Sequence, residues 1–235
     1  MILYVNGDSH TAAAEAVTPH AFAMDDPDLF YMGRAPHPAN LAVSWGRLLS
    51  QSLRTGFHCG AESASSNVRI QRTTLEWLDR LSNYTEVLVI IQWSTWERQE
   101  WLIDGTYYQI NASGIDDVPD SHKKAYKKFI AGIDWPWVTM RAHEDIWAFH
   151  QELDKRQVRH IFFNGNNHFG DIRPDQRRDW GKSYIDPYDG KKTFDSIIRA
   201  AGVDTVSPKS WHFGRDGHSI FYRFMLQYII ANKII

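Results

Sequence analysis

The chain carries one cysteine, Cys59, in 235 residues. An intramolecular disulfide and a multi-cysteine zinc site are therefore excluded, and cysteine usage leaves the compartment open. Net charge is nearly absent: 26 basic against 28 acidic side chains leave −2. Such a balance provides no basic footprint for nucleic acid. The one lysine cluster, Lys123-Lys124 with Lys127-Lys128, repeats at i, i+4 and reads as the solvated face of a helix. No apolar run approaches a membrane span. The first strand starts at Met1, with no leader before it. The expectation is a soluble chain that binds neither nucleic acid nor membrane. No repeat, low-complexity tract or linker is visible. Residues 1–235 are read as a single α/β domain with a substantial core.

Tryptophan is abundant, at ten residues. Core filling accounts for most such rings. The second reading is a sugar-stacking rim, because Trp93, Trp96 and Trp101 fall just past a predicted strand end.

Met1 to Asn6 reads as a short buried strand. Residues 20–40 contain Pro27, Pro36 and Pro38 without periodicity and read as a long loop. Asn40 to Leu53 has helical spacing, with Asn40 as its N-cap. Gly56 to Cys59 is a short strand and Val68 to Leu81 a helix. Glu86 to Ile91 is the kind of unbroken apolar run that a central parallel strand shows. Residues 94–120 read as an insertion and 170–190 as a second irregular one. Helices are predicted at 121–131, 138–156, 193–201 (closed by Gly202) and 215–231. Strands are predicted at 158–163 and 203–206. This alternation implies a three-layer α/β sandwich with a parallel sheet of about five strands.

The first strand ends in Gly7-Asp8-Ser9-His10. A serine in a sharp turn at that place sits where open α/β sheets put ligands, and the N–H groups of such a turn face an anion. Near the other end, Ser210-Trp211-His212-Phe213-Gly214-Arg215-Asp216-Gly217-His218 precedes the last helix. The two ends together resemble the SGNH (GDSL-type) hydrolase superfamily, a flavodoxin-like fold. The resemblance implies a serine esterase without a cofactor. Ser9 is then the nucleophile, and His212 takes its proton. The implied substrate is a small acyl ester, with an O-acetyl group on a carbohydrate preferred. His218 competes with His212, because Asp216-Gly217-His218 reads as an acid–base pair.

The superfamily's acid, three residues before the histidine, is replaced here by Lys209. An ammonium only donates hydrogen bonds, so Asp204, Asp216 or a main-chain carbonyl is left to hold the imidazole. For the oxyanion, the resemblance points to the Ser9 N–H, an N–H at Gly60 or Ala64, and Ser94 where an asparagine is usual. Asn67 or Asn166 is the alternative amide. Arg98 reads as an anchor for an anionic substrate group, or as a surface partner of Glu97 or Glu100. Asn67, Trp93, Trp96, Arg98, Asn166 and His218 make up the expected substrate-facing set.

Two rival functions remain open. One is a catalytically weak or inactive carbohydrate-binding or structural protein on the same fold. The other is a metal-dependent phosphoesterase, on the strength of Asp8-Ser9-His10 and Gly165-Asn166-Asn167-His168, residue types that suit two metals.

Overall fold

The computed structural model describes residues 1–22 and 35–235. Most of the loop expected at 20–40 lies outside them. The strands are β1 (Ile2–Asn6), β2 (Gly56–Cys59), β3 (Val87–Trp93), β4 (Gln99–Ile103), β5 (Thr106–Ile110) and β6 (Arg159–Asn164). The helices are α1 (Pro38–Leu41), α2 (Trp45–Leu53), α3 (Asn67–Leu78), α4 (Lys123–Ala131), α5 (Trp135–Lys155), α6 (Phe194–Ala200) and α7 (Arg215–Ala231).

Four strands pair in parallel in the order β2-β1-β3-β6. Alternation along them splits the core into two halves. Tyr4, Val89, Ile91, Trp93 and Phe162 face α3 and α5. Leu3, Val5, Ile90, Ile161 and Phe163 face α2, α6 and α7. The result is the expected three-layer sandwich. From β1 the chain moves to β2 on one side and then crosses to β3 on the other. The order therefore reverses at β1/β3, and the crevice beyond their carboxyl ends is where such sheets place ligands.

The sheet has four strands rather than about five. Residues 203–206 do not join it; Thr205 bridges Phe213 instead, and the Val206 N–H donates to the His212 carbonyl over 2.9 Å. The place beside β6 is held by Tyr184, in a single parallel bridge to Phe162. The 94–120 insertion contains the antiparallel hairpin β4–β5. Asn40 is not an N-cap. The helix begins at Trp45, capped by Ser44 Oγ on the Arg47 N–H at 3.2 Å. The Asn40 side chain is buried and ties down residues 17–20 instead. Gly202 adopts the predicted left-handed conformation after α6, at φ +79°. No helix among the described residues is long and apolar enough to cross a membrane.

Candidate active site

β1 ends against a turn that tolerates no side chain at Gly7. A Cβ there would lie 2.6 Å from Thr11 Oγ1 and 2.9 Å from Gln92 Cβ. Asp8 follows, buried, with both carboxylate oxygens occupied. Oδ1 accepts from the His10 N–H at 3.0 Å and from Gln92 Nε2 at 2.7 Å. Oδ2 accepts from Ser94 Oγ at 2.8 Å and from Arg98 Nη1 at 3.2 Å. Burial alone would raise this carboxyl. His10, Arg98 and the hydrogen-bond donors outweigh it and hold Asp8 below the usual carboxylate range. Asp8 thus joins the turn after β1 to the loop after β3. Ser9, the next residue, makes no side-chain hydrogen bond to any described residue, and neither its N–H nor that of Ala64 has an acceptor there.

His212 lies on the loop before α7. Its Nδ1 is 3.0 Å from Glu15 Oε2. Ser210 Oγ donates to the same carboxylate oxygen and accepts the His212 N–H at 3.0 Å. A carboxylate accepts only, so Nδ1 carries the proton and Nε2 presents its lone pair. This is the tautomer a general base needs. Burial works to raise Glu15, but its hydrogen bonds from Ser210 and His212 lower it overall. The His212 ring meets that of His10 edge-on, with centroids 5.6 Å apart. It therefore stands beside the turn that carries Ser9. Burial pushes the His10 ring down to about 4, so it is neutral near pH 7.

Several expected residues do other work. The ring of His212 is held by Glu15, and neither Asp204 nor Asp216 makes a hydrogen bond or ion pair to it; both are exposed. His218 is fully buried. Its Nδ1 accepts the Trp45 N–H at 3.3 Å, and burial pushes its ring down to about 3. It packs near Phe194 as a neutral core residue, not a substrate contact. Ser94 does not offer its hydroxyl to an oxyanion, since its one proton goes to Asp8. The Gly60 N–H is likewise engaged, on the Val5 carbonyl at 2.8 Å. Asn67 fastens the Ser94 backbone, accepting its N–H at 2.8 Å. Asn166 is exposed and unbonded among the described residues. Trp93 is wholly buried between Phe149 and Phe162, which removes it from any sugar-binding rim.

Trp96 stacks on Phe169 at 4.6 Å and is 7% exposed. With Asn67, Arg98 and Trp137 it lines a cleft of about 260 Å³, but neither Ser9 nor His212 does. Arg98 pairs with Asp8 rather than with Glu97 or Glu100. Glu97 Oε1 accepts from Thr95, and Glu100 is bound by Arg72. The ring exposed beside His212 is Trp211, at 72%. Asp8, His10 and His168 do not converge as metal ligands; among the described residues the convergent set is His150, Asp154 and His160.

Sequence reasoning missed Glu15, Gln92 and Ser210. Gln92 was visible as the one amide in an apolar strand. Glu15 stands six residues past Ser9, in a stretch whose alanines give no sign of a fold.

Residues 33–137 match a family of unknown function (DUF6071). No curated protein matches the chain. Solved structures similar to it include a member of the lipolytic protein G-D-S-L family from Veillonella parvula, at 11% identity and TM-score 0.46, covering 98% of this chain and 97% of that one. A psychrotrophic esterase from Pseudoalteromonas sp. has the same identity, TM-score and coverage. An acetyl xylan esterase from the rumen bacterium Butyrivibrio proteoclasticus is 13% identical at TM-score 0.46, covering 99% of this chain and 64% of that one.

Proposed function

We propose that the chain is a serine esterase cleaving a small acyl ester through a Ser9 acyl-enzyme, with His212 as general base and Glu15 orienting it. The observation that carries this reading is the 3.0 Å contact between His212 Nδ1 and Glu15 Oε2. It supplies the carboxylate that Lys209 cannot, and it comes from the segment just after Ser9 rather than from the histidine loop. Both ends of the chain thus serve one site, in keeping with a single domain over residues 1–235.

The steps follow from these residues. Ser9 Oγ attacks the acyl carbon as His212 Nε2 takes its proton, and Glu15 stabilises the imidazolium that forms. The N–H groups of Ser9 and Ala64, both without an acceptor among the described residues, face the oxyanion. His212 returns the proton to the leaving alcohol, and water then releases the acyl group by the same route. Trp211, exposed beside His212, offers a face to the alcohol portion, which suits a carbohydrate carrying an O-acetyl group.

The test uses 4-nitrophenyl acetate and a fluorophosphonate. The expectation is labelling of Ser9, loss of turnover in Ser9→Ala and a comparable loss in His212→Ala, since members of one catalytic unit are not additive. Chelator should leave the rate unchanged. Undiminished turnover in Ser9→Ala overturns the proposal.

A further inference from the structure

We propose that His150, His160 and Asp154 form a binding site for one divalent cation of the zinc class, clipping the end of α5 to the start of β6. His150 and Asp154 stand one turn apart on α5, and His160 is the second residue of β6. His160 Nδ1 lies 2.8 Å from the Val158 carbonyl, which only accepts. That nitrogen carries the proton, and Nε2 presents a lone pair.

His150 Nδ1 is 2.7 Å from that lone pair, while His150 Nε2 is 3.3 Å from Asp154 Oδ2. A neutral His150 cannot satisfy both neighbours. With its proton on Nδ1, the Nε2 lone pair faces a carboxylate. With its proton on Nε2, two ring lone pairs face each other. A positive charge held among the three groups removes the conflict. A second proton on the pair would also remove it, and the metal titration below separates the two cases.

The geometry suits a metal. One donor atom from each residue falls within 4.8 Å of the others. Two imidazoles and a carboxylate are an established zinc-class donor set. The His160 N–H on a main-chain carbonyl is the outer contact that metal-bound imidazoles make. Tetrahedral zinc–nitrogen bonds place the nitrogens about 3.3 Å apart, so the rings need separate by only roughly 0.6 Å. A cleft of about 300 Å³ lined by Asp154, His160 and Lys182 provides access and room for a water ligand. The Lys182 ammonium opposes a cation there, but its Nζ lies 3.4 Å from the Asn232 carbonyl, which it donates to.

The experiment is titration of chelator-treated full-length protein with Zn²⁺ and Co²⁺. The expected result is one saturable equivalent in the micromolar range or tighter, with visible Co²⁺ bands of tetrahedral intensity. Zn²⁺ should raise Tm by several degrees. His160→Gln should lose the equivalent. Because His160 is buried and its variant could misfold, Asp154→Ala carries the decisive test; Asp154 is 59% exposed. That variant should fold, bind at least tenfold more weakly and lose most of the Tm gain. His37→Ala should bind as wild type does. Absence of saturable binding, or binding equal to wild type in both site variants, overturns the proposal. Ser9 labelling is indifferent to every outcome, so this inference and the esterase reading fail separately.

Discussion

Glu15 adopts a left-handed backbone, at φ +62°, which costs a non-glycine residue about 1–2 kcal/mol. The conformation turns its carboxylate onto His212. Two substitutions separate strain from chemistry. Glu15→Gln should lower kcat by about 10⁴-fold, as seen when a triad acid is neutralised or removed, in steady-state assays on an aryl acetate. Glu15→Gly should lose the same activity while unfolding within about 1 kcal/mol of wild type, because relieved strain offsets the lost contact and the freer unfolded chain. Asp216→Asn and Lys209→Asp should leave the rate near wild type, since neither position contacts the ring. Ser94→Ala has a different expected signature. Its hydroxyl serves Asp8 at 2.8 Å, so the variant leaves part of a buried carboxylate unsatisfied. A stability loss of about 1–3 kcal/mol by urea unfolding should exceed any effect on kcat. A thousandfold fall in kcat at unchanged stability would return Ser94 to the oxyanion hole.

At the scale of elements, the first helical stretch shows how a polar residue changes meaning with context. Asn40 precedes an apolar periodic run and has the chemistry of an N-cap, yet Ser44 performs the capping. The Asn40 amide instead accepts the N–H groups of Val17 and Thr18 at 2.8 and 2.9 Å and donates to the carbonyls of Thr18 and His20. It holds down the segment that follows Glu15. Ser44→Ala should cost about 1 kcal/mol, as cap loss does. Asn40→Ala should cost more, about 2–4 kcal/mol, because two N–H groups lose their acceptor together. Denaturant midpoints compare the two, and equal losses would show that the Asn40 contacts carry no extra weight. On the proposed esterase reading, Asn40→Ala should also lower turnover, through misplacement of Glu15.

Across the whole molecule, burial of neutral histidines links stability to pH. His10 is held at about 4 and His218 at about 3 by desolvation, whereas an unfolded histidine titrates near 6.5. Above about pH 6.5 neither state binds these protons, and the linkage contributes nothing. As pH falls below that, the unfolded chain takes up protons that the folded chain refuses. Stability should therefore decline steadily between about pH 6.5 and pH 4. The urea midpoint at pH 5 should lie below that at pH 7. His218→Asn retains an acceptor for the Trp45 N–H but cannot protonate, so it should flatten the decline. An unchanged slope in that variant would show that His218 does not contribute to it.

The sequence by itself determined the layered α/β architecture, because period-2 and period-3.6 apolar patterns commit each segment before any long-range contact forms. Glu86 to Ile91 read as a central strand, and Gly7-Asp8-Ser9 as a turn at the end of the first strand; both are found there. Ser9 and His212 were singled out by the resemblance of the two chain ends to a known superfamily, and their roles rest on the proposal above. The tertiary structure decided how their neighbours are used. Whether Ser94 faces an oxyanion or a carboxylate depends on where Asp8 sits across the β1/β3 crevice. Whether Trp93 lies on a rim or in the core depends on which face of β3 meets α5. Glu15 meets His212 across nearly the whole chain, and local sequence carries no trace of that encounter. A pattern of apolar residues is read from nearest neighbours along the chain. The partner of a charge is chosen in space, after the elements have packed.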